Sequence, residues 1–126
     1  MLVRRISDDD IPEISGPGWT SRRPILRDHG LGYSVHHTVL EPGTALELQY
    51  LHHIETVYCI HGEGTLTDHA TGTVHELGPG VLYVLDNHDR HTLYAHTRLE
   101  GLCIFTPPTT GTETHTPDGS YPPSTP

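Results

Sequence analysis

The sequence predicts an all-β fold in one domain, a sandwich or barrel, on three observations. Its 126 residues suffice for one core and are too few for two. It is rich in turn formers, with 13 Gly and 11 Pro, and in Thr, Val and Tyr, which suit strands. Short apolar runs recur along the chain, each bounded by a turn signal, and no amphipathic segment is long enough to stand out as a helix.

Taken in order, the first expected strand runs from Leu2 to Ile6, before an acidic patch and a turn-rich GPG. RRPILRD, LGYSVHHTVL, TALELQY, ETVYCIHG, GTLTDH, TVHELG, VLYVLD, HTLYAHT and LEGLCIF follow as strands, separated by DHG, EPG, HGEG, ATG, GPG and DNHD. Residues 1–106 therefore form the barrel. Residues 107–126, PPTTGTETHTPDGSYPPSTP, are too poor in apolar side chains to supply a core. They are expected to form a tail or lid, mobile unless something pins it.

Sixteen acidic against seven basic residues leave a net charge of −9, which disfavours nucleic acid and anionic membrane as partners. Twelve histidines make that charge pH-sensitive near neutrality. Cys59 and Cys103 each sit in an apolar run and read as buried free thiols. MLVRRISDDD lacks the apolar core of a signal peptide, and no run reaches transmembrane length, so a cytoplasmic location is expected.

Alternation assigns the faces. Leu46, Leu48 and Tyr50 share a phase, with Glu47 and Gln49 between them, so Tyr50 belongs to the buried face before LHH breaks the register. On the next strand Glu55, Val57 and Cys59 share a phase, which sends a carboxyl group inward. Such a group needs a cation, a hydrogen-bond donor or its proton. His61 in the HGEG turn is expected in solvent, as are His52 and His53 at the bend. Val81, Tyr83 and Leu85 share a face, and so do His91, Leu93 and Ala95. Glu55, Tyr83 and His91 thus project beside apolar neighbours. A carboxylate, a phenolate and an imidazole form a mixed oxygen and nitrogen set for a first-row divalent ion, Fe(II) ahead of Zn or Mn. A buried hydrogen-bond network of the same three groups, without metal, accounts for the pattern equally.

The spacing also resembles the cupin signature. Gly43 opens its first motif, Glu55 takes the glutamate slot and Gly62 closes it, but the paired histidine slots fall on Gln49 and Leu51, or on Leu48 and Tyr50. In the second motif Gly80 and Asn87 match, and Tyr83 stands where histidine is expected. GPGW-TSRRPIL, GYSVHHT, HHIETVYCIHGEG, GPGVLYVLDNHDRH, LCIFTPP and DGSYP, in order from Trp19 to Pro122, resemble the ectoine synthase family of cupins. The resemblance implies a jelly-roll barrel and a cyclising dehydration, in which N-γ-acetyl-L-2,4-diaminobutyrate closes to ectoine. It further implies Fe(II) dependence, a small-molecule substrate and a head-to-tail homodimer in the cytoplasm.

Carried over position by position, the resemblance makes Glu55, Tyr83 and His91 the metal ligands. It makes Trp19, Arg23, Thr38, Tyr50, Cys103, Phe105, Glu113 and His115 the substrate-binding set. Arg23 would hold the substrate carboxylate through a forked hydrogen bond, and Tyr50, Glu113 and His115 are the candidates for proton transfer. The chain departs from the family pattern at His52, where Asn is usual, at Thr106 in FTPP, in the HTPDG of its tail and in GTALE. These changes are expected near the pocket mouth, where they would alter substrate preference and rate. A relative acting on another small amide or amino-acid derivative is one alternative. An iron dioxygenase or isomerase would need the histidine-rich site missing here, and a binding-only cupin would not need an open metal.

Overall fold

The structure, a computed structural model, describes residues 1–124. Ten strands follow in chain order: β1 (Glu13–Gly16), β2 (Trp19–Ile25), β3 (Ser34–Leu40), β4 (Ala45–Leu48), β5 (Ile54–His61), β6 (Gly64–Asp68), β7 (Val74–Leu77), β8 (Leu82–Leu85), β9 (His91–Ala95) and β10 (Leu99–Thr106). A single 3-10 turn, Arg27–His29, interrupts them, and no α-helix occurs among the described residues. None of these elements is a helix long and apolar enough to cross a membrane.

The strands make two antiparallel sheets, a larger one in the order β1-β2-β3-β10-β5-β8 and a smaller one in the order β4-β9-β6-β7. Strands adjacent in sequence often lie in different sheets, as β3 and β4 or β9 and β10 do, so the chain crosses the gap repeatedly. A jelly roll arises this way. Period-2 alternation then fills the space between the sheets. On β5 Glu55, Val57 and Cys59 are buried while Tyr58 and Ile60 face out; on β10 Cys103 and Phe105 are buried while Ile104 faces out. Leu40, Leu66, Leu77, Ala95 and Leu99 close one half of the core, and Leu48, Val57, Leu85 and Phe105 the other. Each of these Leu, Val and Phe side chains contributes about 1.5–3 kcal/mol on burial.

One expected strand is absent and one unexpected strand is present. Leu2 to Ile6 forms none, because no neighbouring strand in this chain offers it a ladder, and Leu2 and Val3 are 55% and 85% exposed. Conversely, EISG (Glu13–Gly16), for which no strand was expected, pairs with β2 through a backbone ladder to Trp19–Arg22. The tail is not loose. Thr109, Glu113, Ser120, Tyr121 and Ser124 are all buried against the barrel. Gly119 adopts φ 79°, and a Cβ there would collide with the Glu47 carbonyl, so only glycine lets the DGS turn lie this close to β4. The Gln49 amide donates to the Gly119 carbonyl at 2.9 Å, extending the smaller sheet's hydrogen bonding into the tail. Thr125 and Pro126, the end of the expected tail, lie outside the described residues.

Candidate active site

Between the sheets and beneath the tail lies a cavity of ≈ 60 Å³. Trp19, Thr38, Cys103 and Phe105 line it from the larger sheet, Leu46 and Leu48 from the smaller, and Tyr50 from the connection between them. His115 and Tyr121 reach it from the tail.

Glu55, Tyr83 and His91 all open onto this space. Their placement follows from register. Glu55 sits opposite Leu85 and Tyr83 opposite Val57 on the paired strands β5 and β8, so the carboxyl and phenol are diagonal neighbours on one face. His91 begins β9 in the facing sheet, opposite Leu48. Glu55 is only 5% exposed, and burial raises its pKa to about 7, partly opposed by a hydrogen bond with the Cys103 thiol. Burial, with Glu55 adding to it, also pushes the Tyr83 phenol up. No Lys or Arg lies within ion-pair distance of Glu55 among the described residues.

His91 is prepared as a donor. Its Nδ1 lies 2.9 Å from the Asp89 carbonyl, which can only accept, so Nδ1 carries the proton and Nε2 keeps its lone pair. Burial holds its pKa below the usual histidine value. No cluster of three or more His, Cys, Asp and Glu side chains stands ready for a metal among the described residues, so a site here depends on the phenol of Tyr83. A buried carboxyl without a cationic partner, a buried phenol and a lone pair fixed by its tautomer are chemically suited to a divalent first-row ion.

Opposite this set stands a second pair. The Tyr50 hydroxyl lies 3.0 Å from His115 Nε2. Burial, then the neighbouring Tyr121 and Glu55, keep the Tyr50 phenol well above its ordinary range. Burial and then the Arg23 charge lower His115 to about 4, so its imidazole is neutral at physiological pH. The DNHD turn holds Tyr50 from behind, His88 Nδ1 donating to the Tyr50 carbonyl at 2.9 Å.

A family profile described as Ectoine synthase matches residues 1–125. The chain belongs to the ectoine synthase family. It is 51% identical over 110 residues to the L-ectoine synthase of Desulfosudis oleivorans, covering 86% of this chain and 85% of that one. Identity to the L-ectoine synthase of Nocardia farcinica is 44% over 126 residues, covering 97% and 95%. The crystal structure of the ectoine synthase from P. lautus superposes with a TM-score of 0.83 at 36% identity, over 88% of this chain and 81% of that one. The two-sheet architecture is thus the cupin fold of the ectoine synthases.

Of the substrate-binding positions implied by likeness to the ectoine synthases, Trp19, Thr38, Tyr50, Cys103, Phe105 and His115 line the cavity, and Arg23 and Glu113 do not. Arg23 is 0% exposed, and its guanidinium donates to Ser21 Oγ, to the Gly111 and Glu113 carbonyls and to the Tyr121 hydroxyl. Glu113 turns its carboxylate back onto the amides of Thr110 and Gly111 at 2.7 and 2.8 Å. Burial opposes that charge, yet the amide donors prevail and its pKa is lowered. In this arrangement both residues anchor the tail.

The departures from the ectoine synthase pattern at His52 and Thr106 are exposed and line no part of the cavity. His53, expected in solvent, is instead 1% exposed; its Nε2 pairs with Ser124 Oγ at 2.8 Å because the tail folds over the bend. Among the cavity residues that the sequence reading did not single out are His36 and Tyr121. His36 bonds Thr109 Oγ1 at 2.8 Å through Nε2, and burial, then Arg23, lower its pKa to about 2. It shares a phase with Thr38, so alternation along β3 could have found it. Tyr121 follows no strand and carried no such signal.

Proposed function

We propose that the chain cyclises N-γ-acetyl-L-2,4-diaminobutyrate to ectoine with release of water, in the cytoplasm, as an Fe(II)-dependent homodimer. The observation that carries this reading is the cavity. In a chain of this family, the Tyr50–His115 pair and the Glu55, Tyr83 and His91 set open onto one largely apolar space between the sheets.

In the reaction the substrate's α-ammonium nitrogen loses two protons and bonds to the acetamide carbon. The carbonyl oxygen leaves as water with those two protons, and the ring amidinium keeps the positive charge. Tyr50 and His115 suit the proton traffic. A neutral imidazole can accept a proton, and an un-ionised phenol can give one while taking another. Trp19, Leu46 and Phe105 keep the space apolar, which discourages the reverse hydrolysis. Holding amine and carbonyl together removes an entropic barrier worth up to about 7–11 kcal/mol. The charge of Arg23 lies close enough to lower both His36 and His115 after burial, and the same field favours a substrate carboxylate nearby. A divalent ion bound by Glu55, Tyr83 and His91 would supply Lewis acidity toward the amide carbonyl.

The homodimer is supported by the outer face of the larger sheet. Tyr58, Leu82, Val84 and Ile104 are 47%, 59%, 45% and 38% exposed there, and the β5–β8 register sets Tyr58 beside Leu82. A contiguous apolar patch next to an open strand edge suits a second copy of the chain. Two unpaired thiols, Cys59 and Cys103, agree with a reducing cytoplasm.

The test is anaerobic incubation of Fe(II)-loaded protein with the acetylated diamino acid, followed by NMR. Ectoine should appear without dioxygen, and Glu55→Ala or His91→Ala should lose bound iron together with turnover. Full activity of metal-stripped protein would remove the iron from the proposal, and no turnover by the loaded protein would remove the reaction.

A further inference from the structure

We infer that Tyr121 is a positioning residue for this reaction: its ring clamps the His115 imidazole against the Tyr50 hydroxyl, and the buried Arg23 fixes that ring in place. The inference rests on the proposed proton-transfer role of Tyr50 and His115.

His115 stands on a tail segment with no secondary structure, where the backbone alone cannot hold an imidazole in a defined direction. Its orientation comes from its neighbours. The Tyr121 ring stacks on it with centroids 4.9 Å apart and an interplanar angle of 3°. Trp19 meets it edge-on at 5.1 Å and 61°. These two rings hold the plane of the imidazole, and within that plane its Nε2 reaches the Tyr50 hydroxyl at 3.0 Å.

Tyr121 is in turn held from several sides. It is 3% exposed and packs against Tyr50 at 5.0 Å and Phe105 at 5.4 Å. Its hydroxyl accepts from Arg23 at 3.3 Å, and the guanidinium carbon lies 5.5 Å from its ring centroid. The same guanidinium donates to the Glu113 carbonyl at 2.6 Å and the Gly111 carbonyl at 3.3 Å. One fully buried side chain therefore grips the tail on both sides of His115, at 111–113 and at 121. The lowered pKa of His115, caused first by burial and then by Arg23, agrees with a ring kept dry by this stack.

Two variants separate the parts of the clamp. Tyr121→Phe keeps the ring and loses the bond to Arg23; Tyr121→Leu loses the stack. Each is read by the acid limb of the kcat profile, by kcat and KM separately, and by the His115 imidazole pKa from NMR titration of the metal-free protein. Tyr121→Leu should raise the imidazole pKa and move the acid limb up by about one pH unit. It should also lower kcat about tenfold, with KM changed less than threefold. Tyr121→Phe should shift all three in the same direction by a smaller amount, and it decides the matter alone if the leucine variant does not fold. An unchanged imidazole pKa and acid limb in the folded variants would overturn the inference, as would a loss confined to KM. The NMR titration needs no turnover, so it judges Tyr121 even if the wild-type protein makes no ectoine.

Discussion

The Tyr50 hydroxyl approaches His115 while its ring packs against Phe105 and Tyr121, so Tyr50→Phe deletes the pairing and leaves the packing. We expect kcat to fall by about 10²–10⁴ while the melting temperature stays close to wild type, checked by steady-state assay and calorimetry. The opposite wall makes a different kind of prediction. Glu55 has its pKa raised to about 7, and Tyr83 is raised from its ordinary value, so both are largely protonated in the metal-free protein below neutrality. Binding a divalent ion at pH 6 should therefore release more than one proton, measured by titration calorimetry in buffers of different ionisation enthalpy. Release of none would mean that these two oxygens are not ligands. Period-2 reading placed Glu55 and Tyr83 correctly on inward faces because each sits within a regular strand, and it placed His91 at the head of one. At His53 alternation gave no phase and the default for a bend, exposure to solvent, failed because the tail covers it.

Strands were legible wherever apolar residues alternate with polar ones. EISG is too short to show that pattern clearly and forms β1 by pairing with β2; Leu2 to Ile6, read as a strand from its apolar ends, pairs with no strand and stays irregular. The open edge at β8 raises the same issue between molecules. Its Leu82 and Val84 face outward beside Tyr58, and a charge there would be buried in any dimer using this face. Leu82→Lys with Val84→Glu should convert a dimer to a monomer in size-exclusion chromatography with light scattering, with the strand signal in circular dichroism retained. Dimers that persist in this variant would place the interface elsewhere.

At the scale of the whole molecule, the tail is integral to the barrel. It carries His115 and Tyr121 into the cavity and covers His36 and His53. Deleting residues from Thr109 onward should abolish turnover while leaving a folded, less stable barrel, checked by assay and thermal denaturation. Acid should act on the same junction. The folded-state values of His115 and His36, about 4 and about 2, lie below the 6.5 of an exposed histidine. Their contribution to stability is therefore complete above pH 6.5 and is lost as pH falls toward those values, by up to about 1.4 kcal/mol per pH unit for each ring. In metal-free protein Glu55 works in the opposite sense, losing stability as pH rises from 4.5 through about 7. The acid slope is therefore best read as a difference: His36→Gln should flatten the fall in melting temperature below pH 6.5. The sequence by itself determined the all-β class, nearly every strand, and the inward phase of Glu55, Tyr83 and His91, because alternation and turn chemistry are local properties of the chain. Only the tertiary structure decided that the Pro-rich tail is docked, that Arg23 and Glu113 anchor it, and that Tyr121 stacks on His115. The contacts that dock the tail join residues about 70 to 100 positions apart, as from Arg23 to Tyr121 or His53 to Ser124, and the Tyr121–His115 stack lies in a segment without periodicity, so no local pattern encodes them.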